Sequence, residues 1–221
     1  MEISLSEKCK NLKEKHIKNL ESAVNEMISL PKLIGIIQVG SSTYSKNYHD
    51  IDVITFFDSY LVPHKLSIIR DRYKQNKLWI EGVSVKEKSS EFNPGLRVFI
   101  KTFSNMKNKK ILYGKDPYLN KKITLRKIDV AAYIWYNYHI PELYGQYYDA
   151  AFPNSIRAIL SYADEYPEKK EELLKVFRKK FAELYRYLPK NAEKFLRGTN
   201  KKNFKELYLF FEESLKYFTR K

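Results

Sequence analysis

Asp50 and Asp52 stand one residue apart at the head of an apolar, β-branched run, Ile51 to Phe57. Side chains alternate along a strand, so both carboxylates fall on one face. Two carboxylates that close repel each other unless a cation neutralises them. Their hard oxygens suit Mg²⁺ or Mn²⁺ rather than a metal that prefers nitrogen or sulfur. Upstream, Gly40-Ser41 closes another apolar run, Leu33 to Val39. A glycine lets a ligand approach the backbone, and a serine offers a hydroxyl and an N–H to a phosphate. These pieces point to a metal-bound phosphate held between a turn and a carboxylate pair.

The elements that must position them are legible as hydrophobic patterns. Residues 33–39 and 50–57 read as strands and 40–49 as a polar connection. Residues 60–77 read as a helix with Pro63 in its first turn, where the missing N–H costs nothing. A third strand is expected at 78–85, carrying Trp79, Ile80, Val83 and Val85. Asn93-Pro94-Gly95 reads as a turn, 96–106 as a helix and 111–114 as a short strand or turn. Ahead of them, Leu5, Cys9, Leu12, His16, Leu20, Val24 and Met27 recur at helical spacing, so 5–29 is expected to be one helix. His16 is read as a packed histidine, because no second ligand type follows at i+4. Beyond residue 122 the spacing is helical throughout, and Pro141, Pro153, Pro167 and Pro189 are taken to separate about four or five helices of a bundle. The fold class is therefore α+β: a mixed sheet flanked by helices in 1–122, then a helical bundle in 123–221.

The stretch Val39-Gly40-Ser41, a spacer of 8 residues from Ser42 to His49, and Asp50-Ile51-Asp52-Val53 resembles the signature of the DNA polymerase β-like nucleotidyltransferase superfamily. Ile111-Leu112-Tyr113-Gly114-Lys115-Asp116 is similar to a segment that closes the catalytic domain in its small members. The resemblance implies transfer of a nucleoside monophosphate from an NTP to a hydroxyl acceptor, with release of pyrophosphate. It implies Mg²⁺ or Mn²⁺ at Asp50 and Asp52, and triphosphate binding by Gly40 and Ser41; Ser42 and Lys46, in the same turn and spacer, are further candidates for substrate binding. Such members place a third acid on the third strand, for which Glu81 is the first candidate. Ser84 holds the central position of the local match, Gly82 to Glu87. On a regular strand Glu81 and Ser84 face opposite ways, and a bulge at Gly82 would re-aim Glu81.

Composition bounds the alternatives. Lys plus Arg number 41 against 26 Asp plus Glu, a net charge of +15 among 221 residues. The excess is spread along the chain, so a polyanion is an expected partner: a free nucleotide, or RNA such as a tRNA end. The bland reading is a solvated lysine-rich surface. Cys9 is the one cysteine, which excludes a disulfide scaffold and a multi-thiolate zinc site. With no long apolar run and no apolar signal core at the N-terminus, no membrane association and a cytoplasmic location are expected. The acceptor is left open between RNA, a small molecule and a protein hydroxyl. The competing reading is a catalytically degenerate module that binds nucleotide or RNA.

Overall fold

A computed structural model describes residues 3–86, 94–145, 148–167, 169–196 and 201–220. By its contacts the chain divides into two compact units.

The first unit is built on a four-stranded sheet in the order β3-β2-β1-β4. Its strands are β1 (Leu33–Val39), β2 (Ile51–Phe57), β3 (Leu78–Ser84) and β4 (Lys110–Gly114). β1 runs antiparallel to β2 and β4, while β2 and β3 run parallel, so the sheet is mixed. The parallel pair requires a crossover, and α2 (Lys65–Lys74) supplies it. One sheet face carries Ile36, Ile51, Val53, Leu78, Ile80 and Leu112. They pack against Leu20, Val24 and Met27 of α1 (Glu14–Ile28) and against Leu66 and Ile69 of α2.

Two helical expectations are corrected here. Residues 6–11 are turns followed by a bend at Leu12, and α1 starts only at Glu14, after an extended Lys13. Leu5, Cys9 and Leu12 are buried as anticipated, but spacing of three and four is met by successive turns as well as by a helix. The Leu5 N–H donates to the Glu21 carboxylate at 2.6 Å, which folds the segment back on α1. The second helix begins at Lys65 rather than at residue 60.

The second unit holds α3 (Pro94–Asn105), α4 (Lys127–Tyr144), α5 (Tyr148–Tyr162), α6 (Lys170–Lys180), α7 (Ala182–Tyr185), α8 (Ala192–Leu196), α9 (Lys201–Phe204) and α10 (Tyr208–Thr219). Pro94 and Gly95 open α3 instead of forming a turn; Asn93 of that expected turn lies outside the described residues. Helix α3 falls between β3 and β4 in sequence, yet its Val98 belongs to the core of the helical unit. That core is aromatic: Phe152, Phe177, Phe204, Phe210, Phe211 and Phe218 are all essentially inaccessible. Pro141 and Pro153 do not separate helices but lie inside α4 and α5. A single missing N–H is tolerable where the rest of the helix is packed. Helix α4 instead ends at Gly145, whose φ of 66° is left-handed.

Candidate active site

The register of β1 and β2 brings the two halves of the motif together. Val39 pairs with Asp52, so the residue after Val39 meets the aspartate. That residue, Gly40, has φ 77°, a region closed to most side chains. A Cβ added to it would lie 2.7 Å from Asp52 Oδ2. The Asp52 carboxylate therefore sits against the backbone of the Gly40-Ser41 turn, and the absent side chain leaves the space. Ser41–Thr43 form one 3₁₀ turn, closed by Thr43 N–H to Gly40 O at 3.1 Å and Ser45 N–H to Ser41 O at 2.9 Å. Gly40→Ala is expected to cost about 1–3 kcal/mol, because φ 77° with ψ −168° is a backbone region held almost only by glycine, and to displace the Asp52 carboxylate. A melting curve and a nucleotide-binding titration on that variant check both effects.

The turn is braced from inside. Gln38 Nε2 donates to Ser42 O at 2.9 Å and to Ser42 Oγ at 3.1 Å. Ser42 is 1% exposed, so its hydroxyl serves the turn's interior, whereas Ser41 is exposed. Thr43 Oγ1 donates to Gly40 O at 2.7 Å and to Asn108 O at 3.2 Å. Asn11 Nδ2 donates to Ser42 O and Ser45 O, and Lys110 Nζ donates to Asn11 Oδ1 at 2.7 Å. Cys9 donates to Gln38 Oε1 at 3.4 Å; burial pushes the thiol's pKa up and keeps it a donor. Gln38, Thr43 and Asn11 went unread in the sequence. A glutamine amid Ile36, Ile37 and Val39 was the available signal. Asn11 was hidden by the expectation of an unbroken first helix.

Along β3, Trp79 pairs with Asp52 and Glu81 with Ile54, in a register that runs unbroken from Ile51–Leu78 to Phe57–Ser84. Registered residues share a sheet face, so Asp52, Trp79 and Glu81 lie on one face. No bulge at Gly82 is needed to bring Glu81 there. Gly82 faces the other way, where a Cβ would meet Val62 and Leu66 side chains at 2.5 and 2.6 Å. Ser84 is also on that opposite face, and its hydroxyl donates to Ser59 O. Glu81 is exposed and accepts a hydrogen bond from Trp79 Nε1 at 3.3 Å. Asp50 is exposed just ahead of β2, and Lys46 is exposed on the spacer. Among the described residues no three His, Cys, Asp or Glu are grouped closely enough to hold a metal ion. The oxygen donors at hand are thus Asp50 and Asp52, with Ser41 beside them, a set that fits a hard divalent cation.

The spacer is tied down near its end. Tyr48 Oη accepts the Lys13 N–H at 3.0 Å and lies 2.7 Å from His16 Nδ1. Burial, and then Lys15, Lys13 and Lys77, hold the His16 pKa below its ordinary value. A depressed histidine pKa means that the unfolded chain binds the proton more readily. The contribution of this contact is full above the ordinary histidine range and is lost as pH falls through it. Melting temperature should therefore drop more between pH 7.5 and 5.5 in the natural chain than in His16→Asn.

No family model matches the chain, and no curated protein matches it. Among solved structures it is similar to the crystal structure of spectinomycin adenyltransferase AAD(9) from Enterococcus faecialis with ATP and spectinomycin. The TM-score is 0.59 at 14% identity, covering 93% of this chain and 99% of that one. The likeness is one of fold: a mixed sheet with flanking helices, followed by a helical region. No described helix is long and apolar enough to cross a membrane.

Proposed function

We propose that this chain is a metal-dependent nucleotidyltransferase that moves a nucleoside monophosphate from an NTP to a hydroxyl acceptor and releases pyrophosphate. The observation that carries the reading is Asp52 Oδ2 set against the backbone of Gly40. A triphosphate entering that turn meets the Ser41 hydroxyl and the turn's backbone beside a carboxylate. An anion and a carboxylate can share such a site only with a cation between them. Asp50 and Asp52 would hold Mg²⁺ or Mn²⁺. When bound, that cation supplies positive charge to the phosphates and the leaving pyrophosphate. Ser42 keeps the turn in shape from behind, and Lys46 on the spacer adds positive charge within reach of a phosphate tail. Glu81, on the same sheet face, accepts the proton of the acceptor hydroxyl.

ATP and a small hydroxyl-bearing acceptor are the first substrates to try, since the similar structure was crystallised with ATP and spectinomycin. The net charge of +15 keeps RNA on the trial list. The separation of Glu81 from the aspartate pair favours one competing reading, a module that binds nucleotide without transferring it. Labelled ATP and Mg²⁺ incubated with a panel of small polyols and aminocyclitols, spectinomycin among them, and with mixed RNA decides between them. Labelled product that disappears in Asp52→Asn supports the transferase. Saturable ATP–Mg²⁺ binding with no product in any arm supports the module.

A further inference from the structure

Trp79 is conspicuous on β3. It is an aromatic residue on the outer strand of the described sheet, 39% exposed and outside the buried core. It pairs with Asp52 across the parallel β2–β3 ladder, on strands about 4.8 Å apart, so the two residues are neighbours on one face. Two of its bonds are directional. Its indole Nε1–H donates to Glu81 Oε1 at 3.3 Å, and Lys74 Nζ lies 5.4 Å from the ring centroid. The first contact restrains a carboxylate that is otherwise exposed on a long, mobile side chain. The second holds the ring that does the restraining.

We infer that Trp79 is a positioning residue: its indole N–H sets the direction of the Glu81 carboxylate on the sheet face that carries Asp52, so that the acceptor hydroxyl finds its proton acceptor already aimed. The inference rests on the proposed role of Glu81. A general base works only within hydrogen-bond reach of the proton it takes. A glutamate has three side-chain torsions to immobilise, and one hydrogen bond from a rigid ring on the same strand face removes much of that freedom. A tryptophan that only shielded the strand edge would act on stability and leave Glu81 indifferent to it.

The test pairs a spectroscopic readout with a mutant cycle. In protein labelled with ¹⁵N at the indoles, the Trp79 N–H resonance is assigned by its loss in Trp79→Phe. Glu81→Gln should move that resonance upfield, because a neutral acceptor replaces a charged one. With ATP and the acceptor found by the labelled-nucleotide screen, Trp79→Phe should lower kcat by roughly tenfold to a hundredfold, as expected for a misplaced catalytic group. The KM for ATP should stay unchanged. The same substitution in the Glu81→Gln background should change kcat less than about twofold, because the two residues act as one unit. Circular dichroism confirms that each variant is folded. An indole resonance indifferent to Glu81→Gln, or additive effects in the cycle, overturns the inference while leaving the transferase intact. Absence of product from the natural chain with every acceptor overturns the functional reading itself, and this one with it.

Discussion

Asp52→Asn is expected to leave a folded protein that no longer transfers nucleotide. Asparagine keeps the shape of the side chain that lies against Gly40 but removes its charge. Circular dichroism checks that the variant is folded. On the proposed role the charge that would hold the cation is lost at the same time, and charge stabilisation of a phosphoryl transition state by a metal is worth several kcal/mol. Since each ~1.4 kcal/mol is tenfold in rate, the expected fall in kcat is about 10³-fold or more. The thermal upshift that the proposed function predicts for the natural chain with ATP and Mg²⁺ should vanish with it. Product formation within tenfold of the natural rate would sink the assignment of this site.

The second large effect belongs to the helical unit and touches stability. Asp129 is 0% exposed near the start of α4. Its carboxylate accepts from the Arg126 backbone N–H and from Arg97 Nε at 2.8 and 3.0 Å, and pairs with Arg126 Nη2 at 2.8 Å. Burial pushes its pKa up, but the Arg126 side chain, the Arg126 backbone N–H and Arg97 outweigh burial, and the carboxyl titrates below its ordinary value. Arg97 comes from α3, so this one side chain caps α4 and ties α3 to it. Removing one member of a buried ion pair costs about 3–5 kcal/mol. Arg126 is half-exposed and can rehydrate, which brings Asp129→Ala to roughly 2–4 kcal/mol. The corresponding fall in melting temperature is about 4–16 °C, read by calorimetry. Asp129→Asn, which keeps an acceptor and loses the charge, should lose about half as much. The sign of the pH effect follows: this contribution is present above the unfolded carboxyl's range and fades as pH falls through the lowered folded value. A variant melting within two degrees of the natural chain contradicts this account.

What was readable in advance was whatever a short stretch encodes by itself. β1 and β2 stand where apolar, β-branched runs end at Gly40 and begin beside Asp50, within a residue of the expected bounds. Helices α6 and α10 lie where Leu173, Leu174 and Phe177, and then Phe211, Leu215 and Phe218, recur every three or four residues. The same local logic failed at residues 5–12, because apolar spacing states which residues are buried and not which backbone path buries them. It failed again at Pro141 and Pro153, where a ring that ends an isolated helix is carried by tertiary packing.

Residue types and spacing alone determined that a glycine–serine turn ends one strand and a pair of aspartates opens the next, and so what chemistry was at stake. Only the tertiary structure decided that Val39 pairs with Asp52 and Trp79 with Asp52. Those pairings place the carboxylate on the turn and show that Glu81, unlike Ser84, shares its face. They also recruited Asn11 and Gln38 to hold the turn and Arg97 to hold Asp129. Period and propensity act between neighbours along the chain. Register and ion pairing join residues tens of positions apart, and they are settled only when the whole core is packed.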